Sequence, residues 1–180
     1  MAEHTSLSTV TQVNRASRPT VHPDVLAQPP GGKPLRLSYL IARLDRVIYQ
    51  RLVACVKPHG VNVPHYTALS ILGRRNGLSN AQLARRSYVS PQGMNQVLDE
   101  LIRLGLVTRR QSRTHGRVLH VQLTARGRRV LAACDTAVDQ MERDMLQDIR
   151  ADELRQLMNS LLACVHALHG GLESIKDLEL

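Results

Sequence analysis

One stretch, residues 78–123 (LSNAQLARRSYVSPQGMNQVLDELIRLGLVTRRQSRTHGRVLHVQL), leaves this chain few folds to choose from. It spells two short helices followed by an arginine-rich ribbon. Ser79 and Gln82 have capping-box spacing, in which each side chain satisfies a free backbone N–H at the other's position. Ala81, Leu83 and Ala84 carry that helix to Arg85 and Arg86, and Ser87-Tyr88-Val89 break it. Ser90-Pro91 then opens a second helix, since serine is a preferred N-cap and proline loses no hydrogen bond at the first helical position. This helix runs to about Leu104, where Gly105 offers the left-handed conformation that stops it. At 100° per residue, Met94, Val97, Leu98, Leu101 and Leu104 share one face, while Gln92, Asn95, Gln96, Asp99 and Arg103 share the other. Alone, the polar face fits an ordinary solvated helix better than one reading base edges in a major groove, because amides are common on surfaces.

The ribbon shifts that balance. Leu106-Val107-Thr108 and the alternating Val118–Leu123 are β-rich runs, joined by a polar loop that contains Gly116. The loop holds Arg109, Arg110, Arg113 and Arg117 with no acid, which a neutral solvated turn does not explain. Helix, turn, helix and basic hairpin make a winged helix-turn-helix, with the second helix in the groove and the wing on the backbone or minor groove. The expected fold class is therefore mainly α, with a two-stranded β wing and N- and C-terminal dimerisation helices.

The net charge of +9 becomes informative once located. From Arg74 to Arg129, twelve arginines stand against Asp99 and Glu100, giving +10, and the remaining twelve basic and thirteen acidic residues give −1. All the excess thus lies on the helix-turn-helix and wing, the footprint of a polyanion-binding face. Tyr88 is the only aromatic in that segment, which argues against base-stacking recognition of RNA.

The rest of the chain supplies helices. Residues 1–34 keep no period and end in Pro29-Pro30-Gly31-Gly32-Lys33-Pro34, so a flexible arm is expected. A first long helix spans residues 35–57, with Leu37, Leu40, Ile41, Leu44, Val47, Ile48, Leu52 and Cys55 on its apolar face. A second spans about 64–75. Thr124 caps a fifth that runs to about Ile149, and a sixth covers about 151–169. The first, fifth and sixth carry more apolar surface than one small winged-helix domain can cover, so a homodimer is expected. Its two-fold axis would place two recognition helices in successive major grooves of a palindromic site on double-stranded DNA.

Other chemistry is weakly encoded. Cys55, Cys134 and Cys164 sit in apolar stripes, where structural burial is the expectation, and their spacing suits neither a disulfide framework nor a zinc knuckle. No phosphate loop or nucleophile elbow is present, so no enzyme and no cofactor are expected. His166 and His169 could share a metal, with His59 or His65 as a further ligand, but no complete set emerges and no metal site is assigned. No apolar run reaches membrane-span length, and the N-terminus lacks a signal core, so a cytoplasmic protein without membrane contact is expected.

From about Leu37 to Gly170 the sequence resembles the MarR family of transcriptional regulators. The resemblance rests on an ordered set of segments: Val63-Pro64-His65-Tyr66-Thr67-Ala68-Leu69, Leu78-Ser79-Asn80-Ala81-Gln82-Leu83-Ala84, Val89-Ser90-Pro91-Gln92, Leu104-Gly105-Leu106-Val107 and Val121-Gln122-Leu123-Thr124-Ala125-Arg126-Gly127. It implies a MarR-type domain over 35–170, with a winged core at about 60–127, dimerisation helices at about 35–57 and 125–170, and a tail at 171–180. The family's wing usually carries an Asp-x-Arg pair; here His115 and Arg117 stand there, so the arginine is kept and its carboxylate partner is absent. Peroxide-sensing members use a cysteine near the start of the first helix, where this chain has Ser38.

The expected roles follow. Gln92, Asn95 and Gln96 contact bases, Ser90, Arg85 and Arg86 anchor phosphates, and Arg117 enters the minor groove, with Gly93, Arg103, Arg113 and His115 completing the DNA-binding set. The resemblance also implies a small phenolic or aromatic-acid effector between the dimer helices and the DNA-binding lobe. Arg43 and Arg51 are the candidate cations, and His65 and Tyr66 the polar end. Repression relieved by the effector is the leading reading, with activation open. A sequence-independent architectural DNA-binding protein and a redox- or metal-responsive regulator are the alternatives.

Overall fold

The computed structural model describes residues 36–111 and 119–168. The chain divides into two units between Leu44 and Asp45. In the first, residues 36–44 begin helix α1 (Leu37–Val56), whose opening turn is tied by the Tyr39 and Leu40 N–H groups donating to the Arg36 carbonyl. Leu37, Tyr39, Leu40, Ile41 and Leu44 are all exposed there.

The second unit continues α1 into a 3-10 turn (Lys57–His59) that ends at Gly60, followed by α2 (Val63–Arg74), β1 (Leu78–Ser79) and α3 (Asn80–Arg86). Then come α4 (Pro91–Arg103), β2 (Val107–Gln111), β3 (Leu119–Leu123), α5 (Ala125–Leu146) and α6 (Ala151–Ala167). The fold is mainly helical, as expected. The wing strands pair antiparallel, Val107 opposite Leu123 and Arg109 opposite Val121. The sheet differs from expectation by a third strand: β1 pairs with β3, Leu78 opposite Val121, giving the order β1-β3-β2. Two residues carry no period, so only the tertiary pairing reveals this strand.

The core lies where α2, α3 and α4 meet the sheet. Leu69, Leu72, Leu83, Met94, Leu98, Leu101, Val107 and Val121 are essentially inaccessible. At about 1.5–3 kcal/mol for each large side chain buried, this cluster is the main force holding the helix-turn-helix together. Val56 and Cys134 extend it to the end of α1 and to α5.

One joint fixes α5 to the end of the recognition helix. Gly105, at φ 69°, reverses the chain after α4. The Thr124 hydroxyl donates to the Gly105 and Leu106 carbonyls (2.8 and 3.1 Å) and accepts the Gly127 N–H (2.9 Å). Gly127 is buried so close to Leu106 that a Cβ there would stand 2.0 Å from the Leu106 carbonyl oxygen.

Two boundaries shift. The fifth helix ends at Leu146, not near Ile149, because the chain must turn before Arg150, whose N–H is taken by Glu153 to start α6. The sixth helix ends at Ala167. Among the described residues much of the apolar faces expected on the first and sixth helices is exposed, although Leu52 and Cys55 near the end of α1 pack against the core. Val56 is the one buried residue of α1, α6 buries none, and Leu157, Met158 and Leu161 are exposed. Cys164, expected to be buried, is exposed for that reason, whereas Cys134 is buried and Cys55 half-buried.

Candidate nucleic-acid interface

The interface begins with two well-capped helices. At α3 the Ser79 Oγ accepts the Gln82 N–H (3.3 Å) and Gln82 Oε1 accepts the Ser79 N–H (2.9 Å), the reciprocal box expected from the sequence. At α4 the Ser90 Oγ accepts the Gly93 N–H (3.0 Å) beside Pro91 at the first position. Asn80 Nδ2 donates to the Pro91 carbonyl (3.1 Å) and ties the starts of the two helices together. Between them Tyr88 adopts φ 54°, a left-handed conformation, with 71% of its surface exposed.

Burying Met94, Leu98 and Leu101 leaves the opposite face of α4 outward, so Gln92, Asn95, Gln96 and Arg103 are exposed. Gly93 is half-buried under the Ser90 cap, Arg85 is exposed and Arg86 is half-buried. The exposed groups of α3 and α4 thus include amides, a hydroxyl and guanidinium groups. Arg113, His115 and Arg117 lie outside the described residues.

The two acids of this basic segment are both engaged in pairs. Asp99 meets Arg109 of β2 at 3.0 Å, joining the recognition helix to the base of the wing. Glu100 meets His65 Nε2 at 2.9 Å, joining the same helix to the start of α2. Asp99 is thus paired with a cation, whereas Glu100 accepts a hydrogen bond from the His65 ring.

His65, expected at the polar end of an effector pocket, makes its bonds within the fold. It is buried at the first turn of α2, where its Nδ1 accepts the Asn62 N–H (3.4 Å) and its own N–H donates to Asn62 Oδ1 (2.8 Å). The ring thus closes a capping box, with the Nε2 hydrogen directed to Glu100. Burial lowers its pKa below the ordinary 6.5, opposed by the nearby Glu100 carboxylate and assisted by Arg103. Sequence reasoning missed this box because the third residue of such a motif is usually Glu or Gln.

Tyr66 is likewise committed. Its hydroxyl donates to Asp135 Oδ1 (2.9 Å), linking α2 to α5, and burial together with that carboxylate raises its pKa. Arg43 and Arg51 are exposed on α1. A cleft of about 220 Å³ between α2, β3 and α5 is lined by Leu72, Asn76, Leu123, Arg128, Leu131 and Asp135, and an open hollow of about 410 Å³ lies on α5 at Asp139, Glu142, Arg143 and Leu146. None of the four expected effector residues lines either of these two.

Two of the three thiols are sheltered. Burial pushes Cys134 up to about 11, and the Cys55 thiol donates to the Ala137 carbonyl (3.6 Å). Among the described residues no group of three or more potential metal ligands comes together. His59 is half-buried and His166 exposed, while His169 lies outside the described residues. No helix among them is long and apolar enough to cross a membrane.

With this geometry in place, similarity to known proteins is informative. Residues 59–118 match the model of the MarR family. The chain is 35% identical over 125 residues to the HTH-type transcriptional repressor Rv2887 of Mycobacterium tuberculosis, covering 69% of this chain and 90% of the relative. The crystal structure of that Mycobacterium tuberculosis protein with salicylic acid superposes with a TM-score of 0.59 at 33% identity, covering 73% of this chain and 98% of the other. Its complex with DNA gives a TM-score of 0.60 at 32% identity, with coverages of 72% and 98%. The chain belongs to the MarR family of transcriptional regulators, and the surface of α3 and α4 is the helix-turn-helix of that family.

Proposed function

We propose that this regulator is a cytoplasmic homodimeric repressor that reads a palindromic operator and lets go of it on binding a small aromatic or phenolic acid. The observation that carries the reading is the exposed face of α4, where Gln92, Asn95 and Gln96 point outward while Asp99 and Glu100 are held by Arg109 and His65. Amides of this kind pair with adenine edges in the major groove, and Arg85, Arg86 and Ser90 would hold the adjoining phosphates. Arg103 at the end of α4 and Arg113, His115 and Arg117 of the wing extend the contact along the duplex. A second copy would cover the apolar residues left open on α1 and α6, and set the two recognition helices about 34 Å apart.

The Mycobacterium tuberculosis relative, a repressor solved with DNA and with salicylic acid, supports repression and the effector class. Arg43 and Arg51 remain the cations for the effector carboxylate; His65 and Tyr66, already bonded to Glu100 and Asp135, serve as walls more than as ligands. The protein acts by binding and not by turnover.

The test is selection of an operator from randomised duplexes, followed by Gln96→Ala and Asn95→Ala. Two inverted half-sites about one helical turn apart are expected, and each substitution should relax preference at one or two base pairs by about 1–3 kcal/mol. Unchanged base preference in both variants would refute direct readout by α4.

A further inference from the structure

We propose that Tyr88 is a DNA-backbone contact, its phenol hydroxyl donating to a phosphate of the duplex read by α4. This rests on the assignment of α4 as the reading helix. The first support is the backbone. Tyr88 is the one residue other than glycine with positive φ among the described residues, and glycine is the occupant a left-handed position accepts at least cost. A bulky side chain held in such a conformation marks a site where strain is tolerated for a purpose.

Neighbouring bonds hold this turn in place. Ser87 N–H donates to the Leu83 and Ala84 carbonyls (3.0 and 3.2 Å), Tyr88 N–H to Arg85 (3.3 Å) and Val89 N–H to Ala84 (3.1 Å). The second support is exposure. At 71% exposed, the ring recovers little of the strain through packing. The third is position, three residues after Arg85 and two before Ser90, the cap of the recognition helix. A phenol hydroxyl on a stem of two rotatable bonds is a stiff donor, and tyrosine is among the side chains that hold duplex phosphates.

The experiment compares wild type, Tyr88→Phe and Tyr88→Gly for thermal unfolding and for binding to a selected operator and to a random duplex at fixed salt. Tyr88→Phe keeps the ring and the backbone strain and removes only the hydroxyl. Both variants should bind both duplexes about tenfold more weakly, the loss of a hydrogen bond to a charged group, with the operator-to-random ratio unchanged. Tyr88→Gly should at the same time raise Tm by about 2–4 °C as the strain is relieved. Wild-type affinity in both variants would overturn the contact, and so would a loss confined to the operator, which would indicate base readout. A lowered Tm in Tyr88→Gly would remove the strain on which the inference stands. If wild type failed to distinguish operator from random DNA, the reading of α4 would fall, while the backbone contact would still be decided by the random duplex.

Discussion

Replacing Gly127 by alanine sets two well-understood effects against each other. Alanine is the better helix former by about 1 kcal/mol, and Gly127 sits in the first turn of α5. On propensity alone the substitution stabilises. The packing gives the opposite sign. The new Cβ would lie 2.0 Å from the Leu106 carbonyl oxygen, 3.0 Å from its carbon and 3.3 Å from its Cα. A carbon–oxygen contact of this type settles at about 3.3–3.6 Å, so α5 must withdraw by more than about 1 Å from a backbone that cannot rotate away. Overpacking of this kind costs about 1–3 kcal/mol, and the withdrawal pulls on the Thr124 cap, whose bonds are worth about 1 kcal/mol more.

Net of propensity, Gly127→Ala should destabilise by about 2 kcal/mol, which lowers Tm by about 4–8 °C. Gly93→Ala is the control. Its Cβ would meet only the Ser90 hydroxyl at 3.3 Å, which can adjust, so its Tm should stay level or rise. The assay is thermal unfolding followed by circular dichroism at matched protein concentration. A Gly127→Ala protein as stable as wild type, or more so, would refute the close docking of α5 on Leu106.

Three further outcomes follow from the same geometry. Because His65 has a folded pKa below its unfolded 6.5, the unfolded chain binds more protons between those two values; its contribution is full above about pH 6.5 and is lost as pH falls through that value toward the lower one. Wild type should therefore lose more stability than His65→Gln between pH 7.5 and 5.5 in paired urea titrations, and parallel curves would contradict the burial of the His65 ring as the cause of its lowered pKa. For the proposed phosphate anchors, Arg85→Ala should reduce the slope of log affinity against log salt by about 0.9 for each phosphate it no longer neutralises, read on random DNA; an unchanged slope would remove Arg85 from the interface. Among the thiols, iodoacetamide should modify Cys134 only on unfolding, so early modification of Cys134 in the folded protein would contradict its burial.

Local signals in the sequence carry most of the winged core. Ser79 with Gln82, Ser90 with Pro91 and Gly105 each act on backbone within a few residues, so the caps and stop they predict are the ones observed. The missing parts are those in which distant residues meet. Periodicity places Asp99 on the polar face of α4, but not against Arg109 on another element. His65 reads as a ligand-facing polar group in sequence because nothing local shows that its ring is buried between Asn62 and Glu100. Cys164 lies in an apolar stripe, yet among the described residues nothing buries it, so a sequence periodicity tells which face is sticky and not what lies on it. Tyr88 is visible as a break between helices, whereas its left-handed backbone is a property of how α3 and α4 are held together.

The most direct measurement is the affinity of the purified protein for its selected operator and for random DNA of equal length, at about 150 mM salt. Affinity alone would not discriminate, because the arginine-rich face binds any duplex. A ratio above about 10³ is expected for an operator-reading regulator. A ratio near one would contradict sequence readout by α4 and leave only a backbone-binding, architectural protein.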